Sequence, residues 1–163
     1  MQLQDFLPQF TPWDELKEKQ KNRFFFDEEL PLPEAHAARI SVLHGKAASE
    51  FFGEALDNVP YPYYWFGNKG DFKHFEKYPL YNVSGEESVA QVRHWLFKRG
   101  IPFSAPVYLL YDDPLVVSTE WKILVRYWDD FEHSVGMAMV VLDNSKSWAC
   151  EFHHEEVITF MRY

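Results

Sequence analysis

Ser118-Thr119-Glu120-Trp121-Lys122-Ile123-Leu124-Val125-Arg126-Tyr127-Trp128-Asp129-Asp130-Phe131 leads almost directly into the apolar run Met137 to Leu142, and the secondary structure of this stretch decides the fold. As a helix, Trp121, Leu124, Val125, Trp128 and Phe131 recur every third or fourth residue and form one apolar stripe, with Lys122, Arg126, Asp129 and Asp130 largely off it. Ser118 or Thr119 stands where a capping hydroxyl belongs. As a strand, Trp121, Ile123, Val125 and Tyr127 alternate with Glu120, Lys122, Leu124 and Arg126. The two assignments disagree about one pair: the helix buries Leu124, whereas the strand buries Ile123 and exposes Leu124. Length favours the helix. Burying an aliphatic or Phe side chain is worth about 1.5–3 kcal/mol and Trp covers at least as much area, so the stretch is a core element, not a reactive site.

Beyond it, Met137 to Leu142 and Ser147 to His153 pattern as a hairpin around Asp143-Asn144-Ser145-Lys146, and Val157 to Met161 adds a third strand. In the second strand Trp148, Cys150 and Phe152 share one face, while Ala149, Glu151 and His153 share the other. Before the central stretch, Pro106 to Tyr111 is apolar or aromatic at almost every position, as in a strand covered on both faces, and Asp112-Asp113-Pro114 turns the chain. Ser84-Gly85-Glu86-Glu87 is a capping-box signature; the helix it opens has Val89, Val92, Trp95 and Leu96 inward, and Gly100 gives its left-handed stop.

The first half is less regular. Thr11-Pro12-Trp13-Asp14-Glu15 predicts a helix to about Lys21, with Trp13 and Leu16 as inward anchors, and Arg23 to Phe26 predicts a short strand. Pro33 to Leu56 reads as one broken helix or two short ones, interrupted at Gly45 and ended at Gly53. From Asp57 to Val83, prolines and glycines argue for loop and edge strand around the cluster Tyr61, Tyr63, Tyr64, Trp65 and Phe66. Those rings either pack across the core or form a binding surface. Helices lead and strands follow, so the expected fold is a single α+β domain with an antiparallel sheet packed against several helices.

With 163 residues, the chain can bury a continuous core without metal or disulfide staples. Aromatics reach 18%, more than packing alone usually needs, so disorder is not expected. A net charge of -9 leaves no general basic surface to release counterions, which argues against nucleic acid and anionic membranes as partners. The single cysteine, Cys150, has no internal disulfide partner and lies in an apolar-alternating segment, as a small buried residue of a reducing compartment does. Met1 to Phe10 has no basic leader and no long uncharged apolar run occurs, so a cytoplasmic location is expected, without export or membrane insertion.

His153-His154-Glu155-Glu156 is the densest group of ionisable ligands. It lacks the two histidines four apart of a zinc-protease helix, and adjacent strand histidines point to opposite faces. A polar turn is the simpler assignment, and no metal or other cofactor is expected. Asp129 and Asp130, at the expected carbonyl end of the central helix where acids are unfavourable, can reach this turn and make a paired-carboxylate site with a histidine there. No Gly-x-Ser-x-Gly elbow and no repeated-glycine dinucleotide loop is present.

Trp121 to Phe131, with Trp148 and His154-Glu155, resembles a group of small uncharacterised bacterial proteins that share a Trp-Asp-Asp-Phe helix end, a hairpin and a His-Glu turn. The resemblance covers roughly the last 60 residues and implies a small intracellular α+β domain without assigning catalytic residues. Acidity and aromatic excess favour a binding protein over an enzyme, such as an immunity-type protein that neutralises a basic partner. In that expectation Asp129, Asp130, Glu155 and Glu156 form a charged rim and Tyr63 or Trp65 an aromatic anchor. Two alternatives stand beside it: an acid/base or metal-dependent enzyme using Asp129, Asp130 and His153 to Glu156, and a small-molecule binder using Tyr61 to Phe66.

Overall fold

Strands with no polar face can only be satisfied between two layers, and the apolar run Pro106–Tyr111 lies well inside a sheet covered on both sides. The computed structural model describes residues 2–24, 32–57, 74–80, 83–112, 114–133, 138–153 and 156–163. Its strands are β1 (Thr11–Pro12), β2 (Ser41–His44), β3 (His74–Pro79), β4 (Pro106–Tyr111), β5 (Leu115–Glu120), β6 (Ala138–Leu142), β7 (Trp148–His153) and β8 (Val157–Arg162). The helices are α1 (Glu18–Lys21), α2 (Glu34–Ala37), α3 (Gly45–Leu56), α4 (Gly85–Phe97), α5 (Trp121–Arg126) and α6 (Trp128–His133). Every strand pairing is antiparallel, in the order β1-β2-β5-β4-β6-β7-β8-β3, and the architecture is α+β as expected.

Strand alternation separates two cores. On one face Val107, Leu109, Tyr111, Val141, Trp148, Cys150, Phe152 and Phe160 pack with α4, α5 and α6 through Val92, Leu96, Trp121, Leu124, Trp128 and Phe131. On the other, Leu43, Tyr108, Leu110, Val116, Val140 and Ala149 pack with α3 through Ala48, Phe51 and Ala55, and with the 3-10 segment Leu3–Gln9 through Leu3 and Phe6. Tyr111 ties the layers together, its buried hydroxyl donating to the Phe131 carbonyl at 3.1 Å.

The decisive stretch divides in three. Ser118 to Glu120 completes β5, Trp121–Arg126 is α5, and Tyr127 (φ -116°, ψ 29°) breaks the helix before α6. The helix prediction therefore holds from Trp121 onward with a break at Tyr127, and of the residues assigned to the strand alternative only Glu120 lies in a strand. Its start is fixed without a hydroxyl cap, because the Trp121 and Lys122 amides donate to the carbonyls of Ala105 and Phe103, both at 2.9 Å. Ile123 and Leu124 are both buried, so the apolar stripe is wider than the spacing implied.

Three first-half expectations are corrected. Thr11 does not open a helix: Thr11 and Pro12 pair with Val42 and Ser41, and the Trp13 amide donates to Ile40, leaving a 3-10 turn at Trp13–Glu15 and helix only at Glu18–Lys21. Trp13 and Leu16 still face the core. Ser41–His44, expected in a helix, is a strand. Gly45, at φ +65°, starts α3 where it was expected to interrupt a helix, and Gly53 lies inside that helix. α4 begins after Ser84 as expected, though the Ser84 side chain makes no capping hydrogen bond, and Gly100 at φ +77° follows its end. The expected strand at Arg23 to Phe26 lies partly outside the described residues; its described part, Arg23 and Phe24, is a turn, with Phe24 buried.

Candidate functional site

The break at Tyr127 relocates the two acids. Asp129 and Asp130 occupy the first turn of α6, where the helix dipole favours negative charge, and not a carbonyl end. Asp129 lies 3.9 Å from Arg93 on α4, both partly exposed. Trp128 stacks on Phe152 with ring centroids 6.4 Å apart, which fixes α6 on the Phe152 face of β7. His153, the next residue, is buried on the opposite face. The sheet therefore stands between these acids and His153, one of the two histidines of the expected site. Glu156 is exposed in the β7–β8 turn at φ +59°, where its carbonyl accepts the Leu80 amide at 2.6 Å. His154, Glu155 and the cluster Tyr61 to Phe66, with Tyr63 and Trp65, lie outside the described residues. Among the described residues no group of three His, Cys, Asp or Glu side chains could hold a metal ion.

The structure singles out Glu151, which was not among the expected site residues. One ladder row crosses the α3 face of the sheet as Leu43, Val116, Leu110, Val140, Glu151, Thr159 and Lys77. Four apolar side chains run from β2 to β6, and three polar ones continue to the β3 edge. Glu151 is 0% exposed and Thr159 1%, yet neither carboxylate oxygen nor the hydroxyl has a hydrogen-bond partner. Desolvation pushes the Glu151 carboxyl up to about 7, so it divides between acid and carboxylate near neutral pH. The sequence did carry part of this signal, in the alternation that put Glu151 beside Ala149 and His153.

A second feature is apolar and outside. Phe97 and Phe103 are 50% and 49% exposed, with ring centroids only 4.8 Å apart. The pair lies where α4 ends and the chain approaches α5, since the Lys122 amide donates to the Phe103 carbonyl. Around it, Lys98 follows Phe97, Arg93 precedes it by one turn, and Arg126 shares the Lys122 side of α5. Glu120 bridges Arg39 and Lys122, and Asp129 faces Arg93.

A cleft of about 350 Å³ lined by Trp13, Lys21 and Glu34, among others, contains none of the expected site residues. No protein-family model matches the chain, and no curated protein matches it. No described helix is long and apolar enough to cross a membrane.

Proposed function

We propose that the protein is a binding protein whose helical layer docks an acidic segment of a partner protein, with an apolar side chain of that segment seated against Phe97 and Phe103. The observation that carries this is the closely packed, half-exposed Phe97–Phe103 pair. Interface anchors are typically aromatic, surrounded by a polar rim and depleted of charge at their centre. Lys98, Lys122 and Arg126 supply that rim, and their sign selects acidic residues in the partner. At physiological salt the Debye length is about 8 Å, so this local field outweighs the distant net charge. The class is the one expected from the sequence; the surface and the preferred partner charge are different.

Selection of a displayed random-peptide library on the intact protein tests it. Enriched peptides should combine a net negative charge with an aromatic or large aliphatic residue, and should bind a folded Phe97→Ser protein at least about ten-fold more weakly. Lys122→Glu should mainly slow association and reduce its dependence on salt. Peptides without acidic bias, or equal binding by the Phe97→Ser protein, would overturn the proposal.

A further inference from the structure

α3 packs against β2 and β5, the apolar end of the face that also carries Glu151, Thr159 and buried His153. Buried polar groups almost always have partners, and an ionised carboxylate without one is among the costliest groups a core can hold. Glu151 and Thr159 are cross-strand neighbours in the β7–β8 ladder, with side chains on one face and Cβ atoms about 5 Å apart by the geometry of such pairs. Their three unpartnered oxygens therefore lie on one face of the β7–β8 pair, on neighbouring side chains.

We propose that Glu151 and Thr159 form a receptor for the ammonium group of a small primary amine. An ammonium has three N–H donors and no acceptor, matching three oxygens that lack donors, and its charge neutralises the carboxylate. Arginine-like guanidinium would bring five donors in a rigid fork, more than these oxygens accept. A cation of the chain itself is close in sequence register: Lys77 pairs with Thr159 across β8 and β3. Its ammonium, however, lies 5.3 Å from the centre of the Phe75 ring at the exposed edge. Lys146 is likewise engaged, donating to the Glu54 carbonyl at 2.5 Å. Other titratable groups on this face include His153, two residues along β7, and the tyrosines Tyr108 and Tyr163.

The probe is methylammonium chloride, titrated against the intact protein at about pH 8, where Glu151 is mostly ionised, with sodium chloride at equal ionic strength as reference. A saturable rise in Tm is expected from binding to the native state alone. Glu151→Gln should fold and abolish the rise, while Thr159→Val should weaken the apparent affinity about ten-fold through loss of one hydrogen bond to a charged group. Lys77→Met should leave the rise unchanged. Tetramethylammonium, with the same charge and no N–H donor, should produce none. The proposal is overturned by a wild-type protein that responds no more than to sodium, by an equal rise in Glu151→Gln, or by an equal effect of tetramethylammonium. It is also overturned if methylammonium binds only after Lys77→Met, which would make the chain's own lysine the occupant.

Discussion

Glu151 and the Phe97–Phe103 pair invert the usual partition of side chains in opposite directions. One is a charge with no exposure; the other is two apolar rings with half of each in water. The same sheet accounts for both. Glu151 sits where a ladder row passes from apolar to polar neighbours, and the phenylalanines sit where α4 ends and the chain turns toward the sheet. The lesson is that neither inversion can be inferred from residue type alone, since the chain buries other phenylalanines completely and exposes other glutamates.

The contrast is sharpest within the row itself. Val140, directly opposite Glu151 in the β6–β7 ladder, has only apolar partners on its far side, so Val140→Glu should cost about 3–5 kcal/mol as an uncompensated buried charge. A denaturant midpoint close to wild type would show that the whole face tolerates charge and that Glu151 is not special. Glu151→Gln should act in the opposite direction. The folded carboxyl, at about 7, lies above its ordinary value of 4.5, so the native state binds more protons than the unfolded state between those values. Stability therefore falls as pH rises from about 4.5 to 7 and is flat above, losing about 3 kcal/mol in all. Chemical denaturation across this range should show that slope in wild type and lose it in Glu151→Gln, which should be the more stable protein above pH 7.

The outside pair should respond in function more than in stability. Because half of each ring is already hydrated, Phe97→Ser with Phe103→Ser should cost only about 1–2 kcal/mol, against the 3–5 kcal/mol usual for a core phenylalanine, and should abolish the peptide binding proposed above. A double variant that melts like a core mutant would place the pair in the core and remove the comparison. The smallest effect belongs to Arg93 and Asp129: a double-mutant cycle should return about 0.2–1 kcal/mol of coupling, reduced by salt, because the ion pair is long and partly exposed.

Much of the second half of the fold was legible. Pro106–Tyr111 announced a doubly covered strand because it has no polar alternation, and the hairpin of β6 and β7 was bounded by Asp143-Asn144-Ser145-Lys146. Asp143 secures that turn by accepting the Ser145 amide and the Trp148 indole N–H. β5 was hidden because Glu120 passes into α5 with no glycine or proline between them; the punctuation comes from the carbonyls of Phe103 and Ala105. The break at Tyr127 is similarly unmarked, which is why Asp129 and Asp130 were assigned to the wrong end of a helix. Ser41–His44 is too short to outweigh the alanine-rich periodicity around it. For Glu151, alternation revealed its neighbours on the face but not that the face is covered, a property contributed by distant chain.

The sheet order also carries a kinetic consequence. Its continuous middle, β5-β4-β6-β7-β8, comes from residues Pro106 to Arg162, whereas β2 and β3 arrive from the first half of the chain and attach at opposite sides. The flanking pairs join Ser41 to Ser118 and Lys77 to Thr159, closing loops of roughly eighty residues. Hairpins β4–β5 and β6–β7 close with far shorter loops and can form while those ends are still unattached. In the folding transition state, substitutions such as Leu109→Ala and Val141→Ala should then slow folding, while Val42→Ala and Tyr78→Ala should chiefly speed unfolding. The two flanking strands would thus be the last to attach and the first to come away, making the margins of the sheet its kinetic weak points.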